Sequence, residues 1–207
     1  MTKFNFNNKT WVSTFIIIAF LFGVVCRLYW VWWAGEFSEM KFGDIVMINT
    51  NDGYAFAEGA RDIIAGFHQP NDLSYVDHSM SKFTAFVAKI IPFEFESVIL
   101  YMSVVLSSLL VIPLILISKE FKAVPAGIIA SFTSVIANSY YNRTMAGYYD
   151  TDMLNIVLPC FVLWGLIRAS LKEKPCIIAP LFVLISLWWY PSSFTLNLAC
   201  LLYTSDA

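Results

Sequence analysis

The sequence carries little charge. Of its 207 residues, 14% are Asp, Glu, Lys or Arg, whereas 58% are hydrophobic. A soluble domain has about 25% charged residues. This composition therefore excludes a soluble domain and predicts an integral membrane protein. Lysine and arginine are also scarce, with 13 residues against 15 acidic ones. The chain therefore has no basic stripe to neutralise phosphates, and a nucleic-acid partner is excluded.

Cysteine and histidine are few as well, with four and two residues. The cysteines form no Cys-x-x-Cys pair and have no histidine beside them, so we predict buried thiols and neither a disulfide nor a metal site. His68 and His78 have no partner at the spacing of metal ligands. Both are predicted to be surface loop residues.

Five apolar segments meet or approach the roughly 20 residues that a membrane-spanning helix needs. We place the spans at residues 11–34, 97–117, 123–141, 153–171 and 176–199. Basic residues precede the first span and follow the second and fourth, so the side of the membrane that these connections share is cytoplasmic. The charges are those of Lys3, Lys9, Lys119, Lys122, Arg168, Lys172 and Lys174. The long loop 35–96 and the short segment around 142–152 are then both on the periplasmic side.

Acidic residues stand out in both periplasmic segments. Asp52 follows an asparagine and precedes a glycine, and it is predicted to cap an amphipathic helix that ends near Ile64. Asp150 and Asp152 form an Asp-x-Asp motif. On an extended loop both carboxylates project to one side, whereas on a helix they diverge by about 200°. Such a pair suits a divalent cation, but a turn at Asp150 followed by a helix cap at Asp152 explains the motif equally well.

Two arginines and a tyrosine add to this pattern. Arg143 precedes Asp150 by seven residues on the same short segment, and can fix a carboxylate or grip a phosphate, or anchor the chain at the membrane interface. Arg27 lies inside the first span and is predicted to snorkel to the interface or to pair with a carboxylate. Tyr190 lies at the periplasmic end of the fifth span, either in an aromatic belt or beside a ligand.

We interpret the last eight residues, 200–207, as a sequence that does not belong to the natural protein. Their sequence, Cys-Leu-Leu-Tyr-Thr-Ser-Asp-Ala, back-translates to a common transposase-type sequencing adapter. We therefore expect an artefactual end here and exclude it from fold reasoning. Codons that differ from the adapter in the nucleotide read would contradict this expectation.

Four motifs in order carry a resemblance to a known family. They are residues 49–62, residues 66–75, residues 137–153 and the Trp-Trp-Tyr-Pro-Ser-Ser sequence at 188–193. Together these motifs closely resemble the PglB family of single-subunit bacterial oligosaccharyltransferases from Campylobacter and its relatives, over about residues 11–199. The resemblance implies an all-α polytopic membrane domain of the lipid-sugar-dependent glycosyltransferase (GT-C) type, embedded in the bacterial inner membrane.

The resemblance also implies roles for individual residues. Asp52 and Asp150 match metal ligands, Asp152 the acidic neighbour in the same motif, and Arg143 the arginine that supports this loop. Tyr190 matches an aromatic residue near the lipid-linked donor. The implied reaction transfers an oligosaccharide from a polyprenyl pyrophosphate to the asparagine of Asn-x-Ser/Thr, with Mn²⁺ or Mg²⁺ as cofactor.

The same family needs further parts that these 207 residues do not contain. They are a carboxylate from a later loop, an arginine for the pyrophosphate, and a soluble domain that recognises the acceptor Ser or Thr. We therefore expect this chain to be inactive by itself.

Two other function classes remain open on the sequence. A polyprenyl-phosphate-sugar transferase with a different acceptor would share the fold, although not all four motifs. A non-enzymatic membrane transporter would explain the apolar spans and Arg27, but should place ionisable groups or broken helices near the middle of the membrane.

Overall fold

Long apolar helices dominate the architecture. The computed structural model describes residues 8–173 and 176–205. Three helical stretches in these ranges are long and apolar enough to cross a membrane: Lys9–Ala34, Phe95–Glu120 and Asp152–Lys172. The helices are α1 (Lys9–Ala34), α2 (Asn51–Ala65), α3 (Ser79–Ile90), α4 (Phe95–Ser108), α5 (Val111–Glu120), α6 (Val124–Ile136), α7 (Asn138–Asn142), α8 (Asp152–Asn155), α9 (Val157–Lys172), α10 (Ile178–Trp189) and α11 (Phe194–Ser205).

Strand is almost absent from the described residues. The one sheet there is an antiparallel hairpin of β1 (Lys41–Phe42) and β2 (Ile45–Val46). The predicted all-helical fold class is therefore confirmed. Lys3 and Lys174 of the predicted charge pattern lie outside the described residues, as do the last two residues of the 200–207 tail.

A proline divides the second apolar stretch into α4 and α5. Pro113 has no N–H group to donate to a carbonyl in the preceding turn. The backbone tightens before it, and Leu110 N–H donates to the carbonyl oxygen of Ser107 at 3.2 Å. The Tyr140 hydroxyl donates to the same oxygen at 2.8 Å. The polar groups at the break are thus satisfied within the protein, as a membrane environment requires.

The helices in the third and fifth predicted spans are shorter than the sequence predicts. One helix is predicted over 123–141, but α6 ends at Ile136 and α7 is separate. α10 ends at Trp189, because Tyr190 precedes a proline and is extended. With 13 and 12 residues, α6 and α10 are only about 18–20 Å long, which is less than the thickness of a bilayer core.

The long loop 35–96 contains two α-helices of its own, α2 and α3, and a short 3-10 helix at Ser38–Met40. The predicted helix near residues 52–64 is present as α2, but it begins at Asn51 and Thr50 precedes it. The prediction that Asp52 caps this helix is therefore wrong, and Asp52 lies in the first turn. A left-handed Gly66 ends the helix, which is the usual role of glycine there.

Two hydrophobic cores hold the helices together. The first lies between α1, α5 and α6 and includes Val12, Val111 and Val135. The second joins α2, α3 and α4 to α8, α9 and α10, and it contains Tyr149 and Trp189. The acidic motif around Asp150 therefore sits directly on the second core. The four cysteines are free thiols, as predicted, although each is partly exposed rather than buried.

Candidate active site

The two acidic segments lie against each other, although about 100 residues separate them in the chain. Asn49 N–H donates to the carbonyl oxygen of Gly147 at 2.9 Å. The Thr50 hydroxyl donates to the carbonyl oxygen of Tyr149 at 3.0 Å. These bonds place the start of α2, with Asp52 in its first turn, beside the segment that ends in Asp150.

Gly53 allows this close approach. A Cβ atom at this position would lie 2.6 Å from the Tyr149 carbonyl oxygen and 2.3 Å from the Thr50 hydroxyl oxygen. Both distances are shorter than any tolerable contact, so only glycine fits without movement. The glycine after Asp52 is therefore required by packing between the two acidic segments.

Asp150 is half-buried in this arrangement. Its Oδ1 atom accepts hydrogen bonds from the backbone N–H and the hydroxyl of Thr151. Burial raises the pKa of the Asp150 carboxyl above its usual value, and the negative charges of Asp152 and Asp52 raise the pKa further. The negative charges of Asp152 and Asp52 thus act on Asp150, and a bound cation would relieve this repulsion.

Asp152 is the first residue of the one-turn helix α8. Thr151 before it has helical φ and ψ of −56° and −23°, so the expectation of an extended loop with both carboxylates on one side is wrong. The alternative of a helix cap at Asp152 is also wrong, because Thr151 occupies that position. Asp152 interacts instead with Arg143, whose Nε atom lies 2.8 Å from Asp152 Oδ2.

Arg143 is exposed and faces both Asp152 and an aromatic neighbour. Its Nε–H group donates to the Tyr148 hydroxyl at 3.3 Å. This bond and the charge of Asp152 raise the pKa of the Arg143 guanidinium above its usual value. Arg143 therefore stays charged beside the acidic motif.

The end of α10 reaches the same place. The buried Trp189 donates from its indole N–H to the carbonyl oxygen of Thr151 at 2.8 Å, and its own carbonyl oxygen accepts from the Ser79 hydroxyl at 2.9 Å. Tyr190 follows directly and is 38% exposed. The side chain predicted to contact the donor therefore lies one residue from an anchor of the acidic motif.

Arg27 is placed differently from the expectation. It is fully buried and donates to the Thr144 hydroxyl oxygen from Nε at 3.2 Å and from Nη2 at 3.0 Å. The prediction that it snorkels or pairs with a carboxylate is wrong. Sequence reasoning did not find this contact, and the available signal was a charged residue inside an apolar run.

The histidines are also better connected than the sequence suggests. His68 lies on the surface as predicted, but its Nδ1 atom is 2.8 Å from Asp62 Oδ2. The prediction that His78 is a surface loop residue is wrong, because it is half-buried and caps α3, where Nδ1 accepts from Met80 N–H at 3.1 Å. Burial lowers the pKa of His78, whereas the nearby charge of Asp150 opposes that shift. His78 therefore belongs to the surroundings of the acidic motif.

The donor atoms around Asp150 fit a hard divalent cation, because they are carboxylate oxygens and Asp152 and Asp52 add negative charge near Asp150. Their spacing is wider than that of a closed site. Among the described residues, the three whose ligand atoms all lie within 4.8 Å of one another are Asp62, His68 and Asp72. A cation held by Asp52 and Asp150 would thus take other oxygen ligands as well.

Comparison with known proteins identifies the family. The family model described as "Oligosaccharyl transferase STT3, N-terminal" matches residues 9–204. The chain belongs to the STT3 family. The fold is accordingly that of a GT-C membrane glycosyltransferase, as predicted.

Two curated relatives of this chain come from Campylobacter jejuni. The proteins of strain RM1221 and of subsp. jejuni serotype O:2 (strain ATCC 700819 / NCTC 11168) are each 60% identical to it over 186 residues. Both are called undecaprenyl-diphosphooligosaccharide–protein glycotransferase. The match covers 89% of this chain but only 26% of each relative. The resemblance to the bacterial oligosaccharyltransferases is confirmed.

Proposed function

We propose that this chain is part of an oligosaccharyltransferase that transfers a glycan from a polyprenyl pyrophosphate to the asparagine of Asn-x-Ser/Thr in an acceptor protein. The observation that carries the proposal is the contact between the two acidic segments. The match to the STT3 family model supports the same function. The name of the Campylobacter jejuni relatives supports a polyprenyl-diphosphate donor and a protein acceptor.

The chemical difficulty lies with the acceptor amide. Conjugation withdraws the nitrogen lone pair, and twisting an amide out of its plane costs about 18–20 kcal/mol. Asp52, exposed at the start of α2, is suited to accept hydrogen bonds from the amide N–H groups and to favour the twisted, nucleophilic form. The nitrogen then bonds to the first sugar carbon and gives up one of its two protons to the Asp52 carboxylate, while the bond from that carbon to the pyrophosphate oxygen breaks and the pyrophosphate leaves with the electron pair.

The leaving pyrophosphate gains negative charge. A divalent cation, Mn²⁺ or Mg²⁺, would offset that charge when bound by Asp52 and Asp150. Arg143 keeps Asp152 in place beside these ligands through the 2.8 Å contact. Tyr190 is suited to contact the lipid-linked donor at the edge of the membrane.

The location follows from the same reasoning. The helices that are long enough to span a bilayer support a membrane protein, and we propose the bacterial inner membrane. The acidic segments would then face the periplasm, where both the donor glycan and secreted acceptors are available.

The test uses a chimera, because the chain spans about a quarter of its relatives. Residues 1–199 are joined to the remainder of the Campylobacter jejuni protein, purified in detergent, and supplied with lipid-linked oligosaccharide, Mn²⁺ and a fluorescent acceptor peptide. The expected product is a glycopeptide, which mass spectrometry identifies. A matched peptide with Gln for the acceptor Asn is the control. A chimera that folds but modifies neither peptide, or both equally, would contradict the proposal.

A further inference from the structure

A buried positive charge lies beneath the candidate active site. Arg27 has no exposed surface, and its described contacts are with neutral groups. Besides the two bonds to Thr144, Nη1 donates to the Gly23 carbonyl oxygen at 3.1 Å, and the guanidinium lies 5.2 Å from the centre of the Tyr140 ring. A charge inside a membrane helix is costly and is usually retained for function.

The Thr144 hydroxyl is fixed by this arrangement. It is fully buried and uses its only hydrogen to donate to the Tyr140 carbonyl oxygen at 2.6 Å. Its oxygen lone pairs are then left for the two N–H groups of Arg27. A planar guanidinium can supply both bonds in one fixed geometry, whereas a lysine offers a single movable ammonium group.

Thr144 directly precedes Met145 and follows Arg143, so the same bonds position the segment that carries the acidic motif. A second bond acts alongside, because the Tyr141 hydroxyl donates to the carbonyl oxygen of Cys26, next to Arg27, at 3.0 Å. α1 therefore holds the beginning of this segment at two adjacent residues.

α4 holds the following part of the segment. The Ser103 hydroxyl donates to the Met145 carbonyl oxygen at 2.8 Å, and Gly147 N–H donates to the Leu100 carbonyl oxygen at 2.9 Å. The position of Arg143 thus depends on two contacts: the bonds from Arg27 to the neighbouring Thr144, and its own contact with Asp152. Thr144, the residue directly after Arg143, is therefore held by α1 through Arg27.

We propose that Arg27 is a positioning residue for the proposed glycan transfer. Through the Thr144 hydroxyl it sets the position of Arg143, and thereby holds the Arg143–Asp152 pair beside Asp150. This inference rests on the proposed function for its catalytic consequence. Its structural part, the fixing of residues 143–152, can be tested independently.

The experiment uses the chimera with Arg27→Met, Arg27→Lys, Thr144→Val and Thr144→Ser. Arg168→Met is the matched control, because Arg168 also lies on an apolar helix, bonds Glu120 at 3.1 Å and faces the Trp164 ring. Hydrogen exchange of residues 143–152 is followed by mass spectrometry. The transfer rate, kcat, and the acceptor KM are measured per folded protein.

Arg27→Met and Thr144→Val should each speed exchange in residues 143–152 and lower kcat about tenfold, with the acceptor KM changed by less than about twofold. Combining them should add little to either alone, since both break the same contact. Thr144→Ser should retain most activity, because the hydroxyl is kept. Arg168→Met should leave exchange in this segment and kcat unchanged.

The outcomes separate the two claims. Unchanged exchange of residues 143–152 in both Arg27→Met and Thr144→Val would overturn the positioning role, whether or not the chimera is active. A loss of activity that disappears once the rate is expressed per folded protein would also overturn it. If Arg27→Met does not fold, the Thr144 pair decides, because Thr144→Val replaces the hydroxyl by a methyl group whereas Thr144→Ser keeps the hydroxyl. If the unmodified chimera has no transfer activity but Arg27→Met and Thr144→Val still speed exchange in residues 143–152, the result would instead count against the proposed function.

Discussion

Adding one methyl group at Gly53 should separate the two acidic segments. In Gly53→Ala the new Cβ would be 2.6 Å from the Tyr149 carbonyl oxygen, so the segments must move apart by roughly half an ångström or more. The Thr50 hydroxyl is also displaced, because the Cβ would be 2.3 Å from its oxygen. Its bond to Tyr149, worth about 0.5–1.5 kcal/mol, is then lost.

The expected loss of stability is moderate. Overpacking costs about 1–3 kcal/mol, and the replacement of glycine within a helix returns about 0.5–1 kcal/mol. A net loss of about 2 kcal/mol should lower the Tm of the chimera measurably, by less per kcal/mol than in a small domain. The loss of activity should be larger, because a displacement of about 1 Å at a catalytic group can cost about 100-fold in rate.

The assay measures peptide glycosylation by the chimera together with thermal unfolding in detergent. Gly66→Ala is the matched control, since Gly66 has a φ of +70° and open space around it. That variant should lose about 1–2 kcal/mol through backbone strain and keep its transfer rate. Gly53→Ala with the wild-type rate and Tm would refute the described packing of the two segments.

Three further outcomes follow from other contacts. The first concerns topology: with the native cysteines replaced, a cysteine at exposed Asn142 should react with a membrane-impermeant thiol reagent added from the periplasm. A cysteine at exposed Glu173 should react only after the inner membrane is opened. Reversed labelling would contradict the topology. Trp189→Phe removes the 2.8 Å bond to Thr151 and should lower stability by about 1 kcal/mol, measured by thermal unfolding; an unchanged Tm would argue against that anchor. The pKa of Asp62 is lowered chiefly by a hydrogen bond from the neighbouring histidine, so its stabilisation is present above the unfolded pKa and is lost as pH falls through the lower folded pKa. Asp62→Asn should therefore lower Tm near neutral pH and not in strong acid; an equal effect at both would refute the pairing.

The sequence predicts the membrane class and the positions of the acidic residues because both depend on local composition. Long apolar runs require burial in lipid, and carboxylates beside them are costly enough to indicate function. The family motifs carry the identification of Asp52, Asp150 and Arg143. Contacts between residues about 100 positions apart could not be predicted, because a single sequence contains no direct sign of them.

The local errors have physical causes. Residue type alone predicts Asp52 as the helix cap, but Thr50 precedes the helix and its hydroxyl bonds the carbonyl oxygen of Tyr149 in the other acidic segment. The extended geometry expected between Asp150 and Asp152 gave way to a helical Thr151, whose carbonyl oxygen accepts from Trp189. The partner of Arg27 was missed because it is a neutral hydroxyl rather than an opposite charge.

The central claim is that Asp52 and Asp150 together bind the cation that supports glycan transfer. The most direct measurement is the transfer rate of the chimera across a Mn²⁺ titration, for the unmodified protein and for Asp52→Asn and Asp150→Asn, with Mn²⁺ binding followed in parallel by electron paramagnetic resonance. Each substitution keeps the size of the side chain and removes one charged ligand. We expect both variants to bind Mn²⁺ more weakly and to transfer glycan at least about 100-fold more slowly. Wild-type Mn²⁺ affinity and rate in either variant would contradict the account.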